Sequence, residues 1–202
     1  GGWCYDEQDC LHRSNTPLGS SAHWAQTVAL QGIMSDDCSV NPDFCNFNRV
    51  HLVYCDGFSF AGDRTEPLQV QGAGGQRKPI YFRGKRILDA VLETLMGMGL
   101  REAERVLLTG CSAGGLATFL HADYVHSVLQ GAGVPLKVYK AAPISGFFLE
   151  HSSVEGAPVY VDEMKSAFQL ANATGGLNAR CVASFKEEDR WRCSFAAHAY
   201  EH

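Results

Sequence analysis

Apolar positions along the chain follow two periods. Arg49 to Cys55 (RVHLVYC) is rich in β-formers and reads as a strand ended by Asp56-Gly57. Val106-Leu107-Leu108 is a short continuous apolar run, the pattern of a strand buried on both faces. Leu136 to Ala142 alternates and predicts a third strand. Helical spacing appears in Leu116 to Gln130, through Leu116, Phe119, Leu120, Val125, Val128 and Leu129. It recurs from Tyr81 or Phe82 to about Leu100, where Ile87, Leu88, Val91, Leu92, Leu95 and Met96 share a face, and from Pro158 to Ala171. Ser20 or Ser21 is placed to cap a short helix reaching Leu30. Arg64 to Pro79 is polar and glycine-rich and reads as a surface loop; Pro143 to Glu150 reads as a turn presenting Phe147 and Phe148; Arg180 to Cys193 reads as a charged loop. Strands alternating with helices over 202 residues predict one α/β domain with a parallel sheet.

The candidate chemistry sits where the buried run meets the long helix. Gly110-Cys111-Ser112-Ala113-Gly114 fills that junction. A G-x-S-x-G alone is weak, but between a buried strand and a helix it has the context of a nucleophile elbow. The sharp turn needs small neighbours, which Gly110, Gly114 and Gly115 supply. Such a turn lifts the Ser112 hydroxyl out of the sheet and aims the first free helical N–H groups at an oxygen bound beside it. The Ala113 N–H is the expected oxyanion donor. The bland alternative is a serine in a glycine-rich turn. Ser59 and Asp63, in the loop after the 49–55 run, are further candidates for lining the site, or simple turn formers.

Charge and composition narrow the class. A net charge of −5 gives no reason to expect nucleic-acid binding, and no apolar run has the length of a membrane span. Eight cysteines are many for a reducing compartment. Three pairs lie close in sequence, Cys4 with Cys10, Cys38 with Cys45 and Cys181 with Cys193, and each would staple a loop. Metal binding is the rival, but there is no C-x-x-C and no histidine cluster at ligand spacing, so neither metal nor cofactor is expected. Asn172-Ala173-Thr174 is a glycosylation sequon, in line with secretion.

A serine nucleophile needs a histidine base and an orienting acid, which on this elbow follow the serine in that fold's order of acid, then histidine. The residues available are poorly placed. His121, Asp123 and His126 lie on the elbow helix itself, with His121 more than two turns along it. His151 follows a turn, and His198 and His202 lie in a polar stretch with no strand before them. Either the acid and base lie outside this chain, which would then be a fragment, or this is no triad enzyme; the abrupt start and end favour a fragment. Gly1-Gly2-Trp3 likewise reads as the inside of a loop whose glycines let the backbone approach a ligand, or as a flexible end.

An ordered set of motifs carries a resemblance over nearly the whole chain. Gly1-Gly2-Trp3-Cys4, Leu18-Gly19-Ser20-Ser21, Gly32-Ile33-Met34-Ser35, Asn41-Pro42-Asp43-Phe44, Tyr54-Cys55-Asp56-Gly57, Phe60-Ala61-Gly62-Asp63, Phe82-Arg83-Gly84, Gly110 to Gly115 and Ser145-Gly146-Phe147-Phe148-Leu149 occur in turn. Together they resemble the pectin acetylesterase family, which includes a plant branch and the animal Notum carboxylesterases. Cys111 before the serine is similar to the plant branch, and Trp191-Arg192-Cys193 to the animal one.

The resemblance implies an α/β-hydrolase fold, a mostly parallel sheet flanked by helices, incomplete here at both ends. It implies a secreted serine carboxylesterase in the extracellular space or cell wall. Its substrate would be an acylated polysaccharide such as pectin, and the group removed an O-acyl, foremost acetyl. A Notum-like protein deacylase and an inactive binding protein on a hydrolase scaffold are the alternatives. By position, Ser112 matches the nucleophile, and the backbones of Gly2, Trp3 and Ala113 match the oxyanion hole. The family's catalytic Asp and His fall beyond His202, and its strands before Gly1 include a cysteine that pairs with the Cys55 position. Cys55 is accordingly expected to lack a partner, Cys111 to be a buried free thiol, and residues 1–202 alone to be unstable and inactive.

Overall fold

The computed structural model describes residues 2–202. After the Gly2–Cys4 segment, helix α1 (Glu7–Ser14) starts where the Asp6 carboxylate accepts the N–H groups of Gln8 and Asp9, both at 2.8 Å. An acidic N-cap satisfies donors that no helical carbonyl can reach. The Cys4–Cys10 disulfide fastens the preceding segment to this helix.

The stretch from Ser20 to Cys55 departs from its reading twice. Ser20 does cap a helix, accepting the Ala22 N–H, but only a single 3₁₀ turn, Ser21–His23, follows, and Trp24 is already extended. Arg49 to Cys55 forms no strand. No strand among the described residues lies beside it, so its backbone has nothing to pair with, and Val50 and Val53 stand exposed. The Cys38–Cys45 disulfide closes the loop between these two segments.

Arg64 to Pro79 is not a plain loop. It holds an antiparallel hairpin, β1 (Leu68–Gln71) with β2 (Arg77–Ile80), in register Leu68↔Ile80 to Gln71↔Arg77. Alternation drives it: Val70 and Ile80 are buried in the core while their neighbours face water. Gly74 and Gly75, at φ +77° and +79°, make the connection that other residues resist.

Helix α2 (Gly84–Gly97) follows, burying Leu88 and Leu92. Strand β3 (Arg105–Cys111), helix α3 (Ala113–Gly131) and strand β4 (Val138–Ile144) form a parallel β-α-β unit, with pairing from Arg105↔Val138 to Cys111↔Ile144. Parallel strands need such a crossover. Helix α3 runs between two apolar clusters. Leu116 and Leu120 join Phe58, Phe82, Met164 and Phe195 on one side; Val125 and Leu129 join Leu88, Leu92 and Val134 on the other. Burial on two sides explains why α3 carries apolar residues on more than one face.

Helix α4 (Val159–Ala171) ends at Asn172, which is exposed and left-handed at φ +48°. The segment read as a charged loop is instead helix α5 (Ala179–Ser184) and a 3₁₀ stretch, Glu187–Ser194, joined by the Cys181–Cys193 disulfide. Its charges lie outside while Trp191, Cys193 and Ser194 are buried. Helix α6 (Ala196–Tyr200) packs back toward α3. Among the described residues no helix is long and apolar enough to cross a membrane.

Candidate active site

Strand β3 delivers Ser112 to the start of α3 in a conformation that few residues adopt, φ +58° and ψ −119°. Backbone strain of this kind costs roughly 1–3 kcal/mol and persists only where the surroundings over-determine it. Here they do. The Ser112 N–H donates to the Ile144 carbonyl at 3.0 Å, and the Ser112 carbonyl accepts the Leu116 N–H at 2.9 Å. Space is equally restrictive. A Cβ on Gly110 would stand 2.3 Å from the Gly114 carbonyl oxygen, and one on Gly115 would stand 2.4 Å from that of Ile144. Gly115 and Gly146 therefore let the end of β4 lie directly on the first turn of α3.

The result is an exposed Ser112 above a buried Ala113. Ala113 is the first residue of α3, so its N–H has no intrahelical acceptor and the helix dipole adds positive potential there. Among the described residues nothing hydrogen-bonds the Ser112 hydroxyl. Cys111, beside it, is a free thiol and exposed, not buried as its junction position suggests. Strand β3 has a neighbour only on its β4 side among the described residues, so solvent reaches the strand's end.

The Gly2–Cys4 segment comes to the same place. Gly1 lies outside the described residues. Gly2 is at φ +80°, and the Tyr54 hydroxyl donates to its carbonyl at 2.5 Å. The Cys4 N–H donates to the Gly57 carbonyl at 3.3 Å. The Trp3 indole N–H donates to Ser59 Oγ at 2.7 Å, and Ser59 Oγ donates to the Ala113 carbonyl at 2.8 Å. One hydroxyl thus joins the Trp3 segment to the first turn of α3.

The loop that supplies these grips is itself held from within. Buried Asp56 accepts the N–H groups of Phe58 (3.3 Å), Phe60 (3.1 Å) and Gly62 (3.0 Å). Burial pushes its carboxyl above the usual range, opposed by those hydrogen bonds. Buried His121 reaches the Ser59 carbonyl with Nε2 at 3.0 Å, and since a carbonyl only accepts, Nε2 carries the proton. Burial lowers the His121 pKa to about 4. Asp63, the other loop candidate, instead pairs with Arg86 at 2.8 Å.

Every histidine after Ser112 has other company. His121 is spent on Ser59, and His126 stacks on Tyr139 with centroids 4.8 Å apart. His151 contacts the Ser152 carbonyl, His198 contacts Glu150 at 2.7 Å, and His202 contacts Ser184 at 3.0 Å. Glu150 also faces Arg192 at 3.5 Å. Asp123 accepts from Asn178. Among the described residues no group of three potential metal ligands occurs.

Beside the site, the Phe147 and Phe148 pair divides its roles. Phe147 is exposed and meets Phe119 at 6.0 Å. Phe148 is half-buried and packs edge-on against Trp3 at 4.9 Å. Sequence pattern does not reveal Tyr54 and His121, because each acts through a backbone group 52 or 62 positions away, while Asp56 acts within its own loop.

A parallel strand, a serine at positive φ and a helix opening beside it define the α/β-hydrolase class, and solved structures agree. The chain superimposes on the Wnt deacylase Notum from Drosophila with a TM-score of 0.83 and 26% identity, covering 100% of this chain and 57% of that one. The family model described as Pectinacetylesterase matches residues 1–202, and the chain belongs to that family. It is 40% identical over 184 residues to pectin acetylesterase 5 of Arabidopsis thaliana, covering 91% of this chain and 40% of that relative. It is 29% identical over 212 residues to palmitoleoyl-protein carboxylesterase NOTUM of Mus musculus, covering 99% and 40%. The chain therefore spans about two-fifths of the length of these curated relatives.

Proposed function

We propose that this chain is the nucleophile-bearing part of a serine carboxylesterase that removes O-acyl groups, acetyl foremost, from a pectin-like polysaccharide. The observation that carries the reading is the exposed Ser112 at φ +58°, with the free N–H end of α3 and the tethered Trp3 segment beside it. Ser112 Oγ attacks the acyl carbonyl as a base takes its proton. The tetrahedral oxyanion is held by the N–H groups of Ala113, Gly2 and Trp3. Collapse expels the sugar hydroxyl, which leaves with the proton, and water then releases the acid from the acyl-enzyme. The acid and base are assigned to residues outside this chain, because each histidine after Ser112 has other partners. Family relatives named pectin acetylesterase support the substrate class. Three disulfides fit an oxidising, extracellular setting, where Asn172, exposed at the end of α4, would accept a glycan.

The test uses the full-length gene product. A fluorophosphonate should label Ser112, and Ser112→Ala should abolish labelling and cut acetate release from acetylated pectin by at least about a thousandfold. Undiminished labelling in Ser112→Ala would refute the assignment. Release of a long acyl chain from a lipidated peptide, with no acetate from pectin, would overturn the substrate class alone.

A further inference from the structure

Ser59 combines three properties that rarely coincide. It is buried to 1% exposure, it is a non-glycine residue at φ +49°, and the next residue, Phe60, is also left-handed at φ +60°. Two successive residues in this region carry a cost that local turn formation does not repay. The loop holds them there with the Asp56 carboxylate on three N–H groups and with His121 on the Ser59 carbonyl. Beside seating Phe58 and Phe60 in the apolar clusters, that geometry fixes the position of the Ser59 hydroxyl.

The hydroxyl's two bonds have forced directions. An indole N–H only donates, so Ser59 Oγ accepts from Trp3 at 2.7 Å. A carbonyl only accepts, so the single Ser59 proton goes to Ala113 at 2.8 Å. The hydroxyl is therefore a strut of defined polarity, with the Trp3 segment at one end and the first turn of α3 at the other.

Resting on the reading of Ser112 as nucleophile, we propose that Ser59 is a positioning residue that sets the spacing between the Trp3 and Ala113 N–H groups, and so the shape of the anion pocket. Ser59 touches neither substrate nor the reacting atoms. Loss of its hydroxyl leaves the Trp3 indole N–H without its acceptor and lets the Gly2–Cys4 segment, with its backbone N–H groups, drift relative to α3. The tetrahedral anion feels that drift more than the planar ester does, because the pocket's donors point to where the charge develops. The effect belongs in kcat more than in KM.

The experiment uses the full-length gene product and four variants: Ser59→Gly, Ser59→Ala, Trp3→Phe and the double Ser59→Gly/Trp3→Phe. Glycine accepts φ +49° without strain, so Ser59→Gly removes the hydroxyl while keeping the backbone. Ser59→Gly is expected to lower kcat on a small acetyl ester about ten- to a hundredfold, the scale of a ~1 Å misplacement. KM should stay within about threefold, and affinity for a boronic acid should fall by the factor seen in kcat/KM. Trp3→Phe, which deletes the indole donor and keeps an aromatic ring, should show a similar loss even if both Ser59 variants fold poorly. The double variant should be no worse than the more impaired single one, since both delete one hydrogen bond. Unchanged kcat in folded Ser59→Gly, or multiplied losses in the double variant, would overturn the proposal while wild-type labelling at Ser112 left the esterase reading intact. A wild type that does not label at Ser112 would remove the esterase reading, and this inference with it.

Discussion

Two heptapeptides of this chain are nearly interchangeable on paper. Arg49 to Cys55 reads RVHLVYC, and Arg105 to Cys111 reads RVLLTGC. Each opens Arg-Val, carries two or three β-formers and ends in a cysteine that remains a free thiol. The second is strand β3, paired along its length with β4 and half-buried from Val106 to Gly110. The first forms no strand, and Val50 and Val53 are exposed. A strand is thus a property of two segments. Alternation and β-propensity describe a segment able to join a sheet, while the joining is decided by a neighbour that offers its own N–H and C=O groups. The unpaired heptapeptide still contributes, since its Tyr54 hydroxyl holds Gly2 and its end leads into the Asp56 loop.

The contrast breaks most severely at the contact that keeps β4 against α3. Gly115→Val would place carbon 2.4 Å from the Ile144 carbonyl and 2.8 Å from Gly146 Cα, neither of which can move without unpicking the β3–β4 end. The loss should be at least the ~1–3 kcal/mol of an overpacked core. Fluorophosphonate labelling of Ser112 should disappear with it. Gly97→Ala, at the end of α2 where nothing lies within 4 Å, is the matched control and should gain up to about 1 kcal/mol. Denaturant unfolding of both variants checks the pair, and a tolerated Gly115→Val would mean that the two strands are held together by something other than this close approach.

A smaller effect tests whether the Asp56 loop draws its order from α3. His121 has a folded-state pKa of about 4 against an ordinary 6.5, so the unfolded chain takes up a proton first as pH falls. Its contribution is complete above pH ~6.5 and is lost progressively down to about 4, amounting to no more than ~3 kcal/mol. Asp56 has the opposite sign. Its folded pKa is raised, so its contribution is greatest in acid and declines as pH climbs through that raised value. The two partly cancel in the wild type. His121→Gln should therefore uncover a protein that gains stability toward acid over the window in which the wild type holds level or declines. Urea titrations from pH 4 to 7 give the measurement, and parallel curves for the two proteins would show that His121 does not titrate from a buried, neutral state.

What was legible in the sequence is what local pattern and short spacing encode. The elbow could be read because strand, G-x-S-x-G and helix adjoin, and the three disulfides because each closes a loop of few residues. Helices α2 and α4 followed from their apolar faces. The hairpin of Leu68 to Ile80 escaped because its glycines and charges outweighed an alternation carried by only Val70 and Ile80. Ser59 was recognisable as a loop residue near the sheet's end, but not as a strut. Its partners lie 56 and 54 positions away, and nothing in the intervening residues records that the three share one hydrogen-bonded line. Burial of Cys111 and a strand at 49–55 were both read from local pattern, but each depends on what packs beside the segment, and among the described residues nothing covers the one or pairs with the other.

The smallest effect is expected in the stretch between Trp24 and Val53, where order is local. Only Asn41 and Cys45 are buried there. The Asn41 amide donates to the Ile33 carbonyl at 2.9 Å and to the Ser35 carbonyl at 2.8 Å, and its oxygen accepts the Phe44 N–H at 3.2 Å. One side chain thus ties two turns together, next to the Cys38–Cys45 bridge. Asn41→Ala deletes all three bonds and should cost about 1–3 kcal/mol. Most of that should fall on opening of this stretch and little on global unfolding, because no apolar cluster spans it. Limited proteolysis should show faster cutting within residues 33–48, with the rate of Ser112 labelling unchanged. If labelling slowed together with proteolysis, the irregular stretch would be coupled to the elbow after all. The two heptapeptides would then differ in neighbours alone, and not in the kind of order that surrounds them.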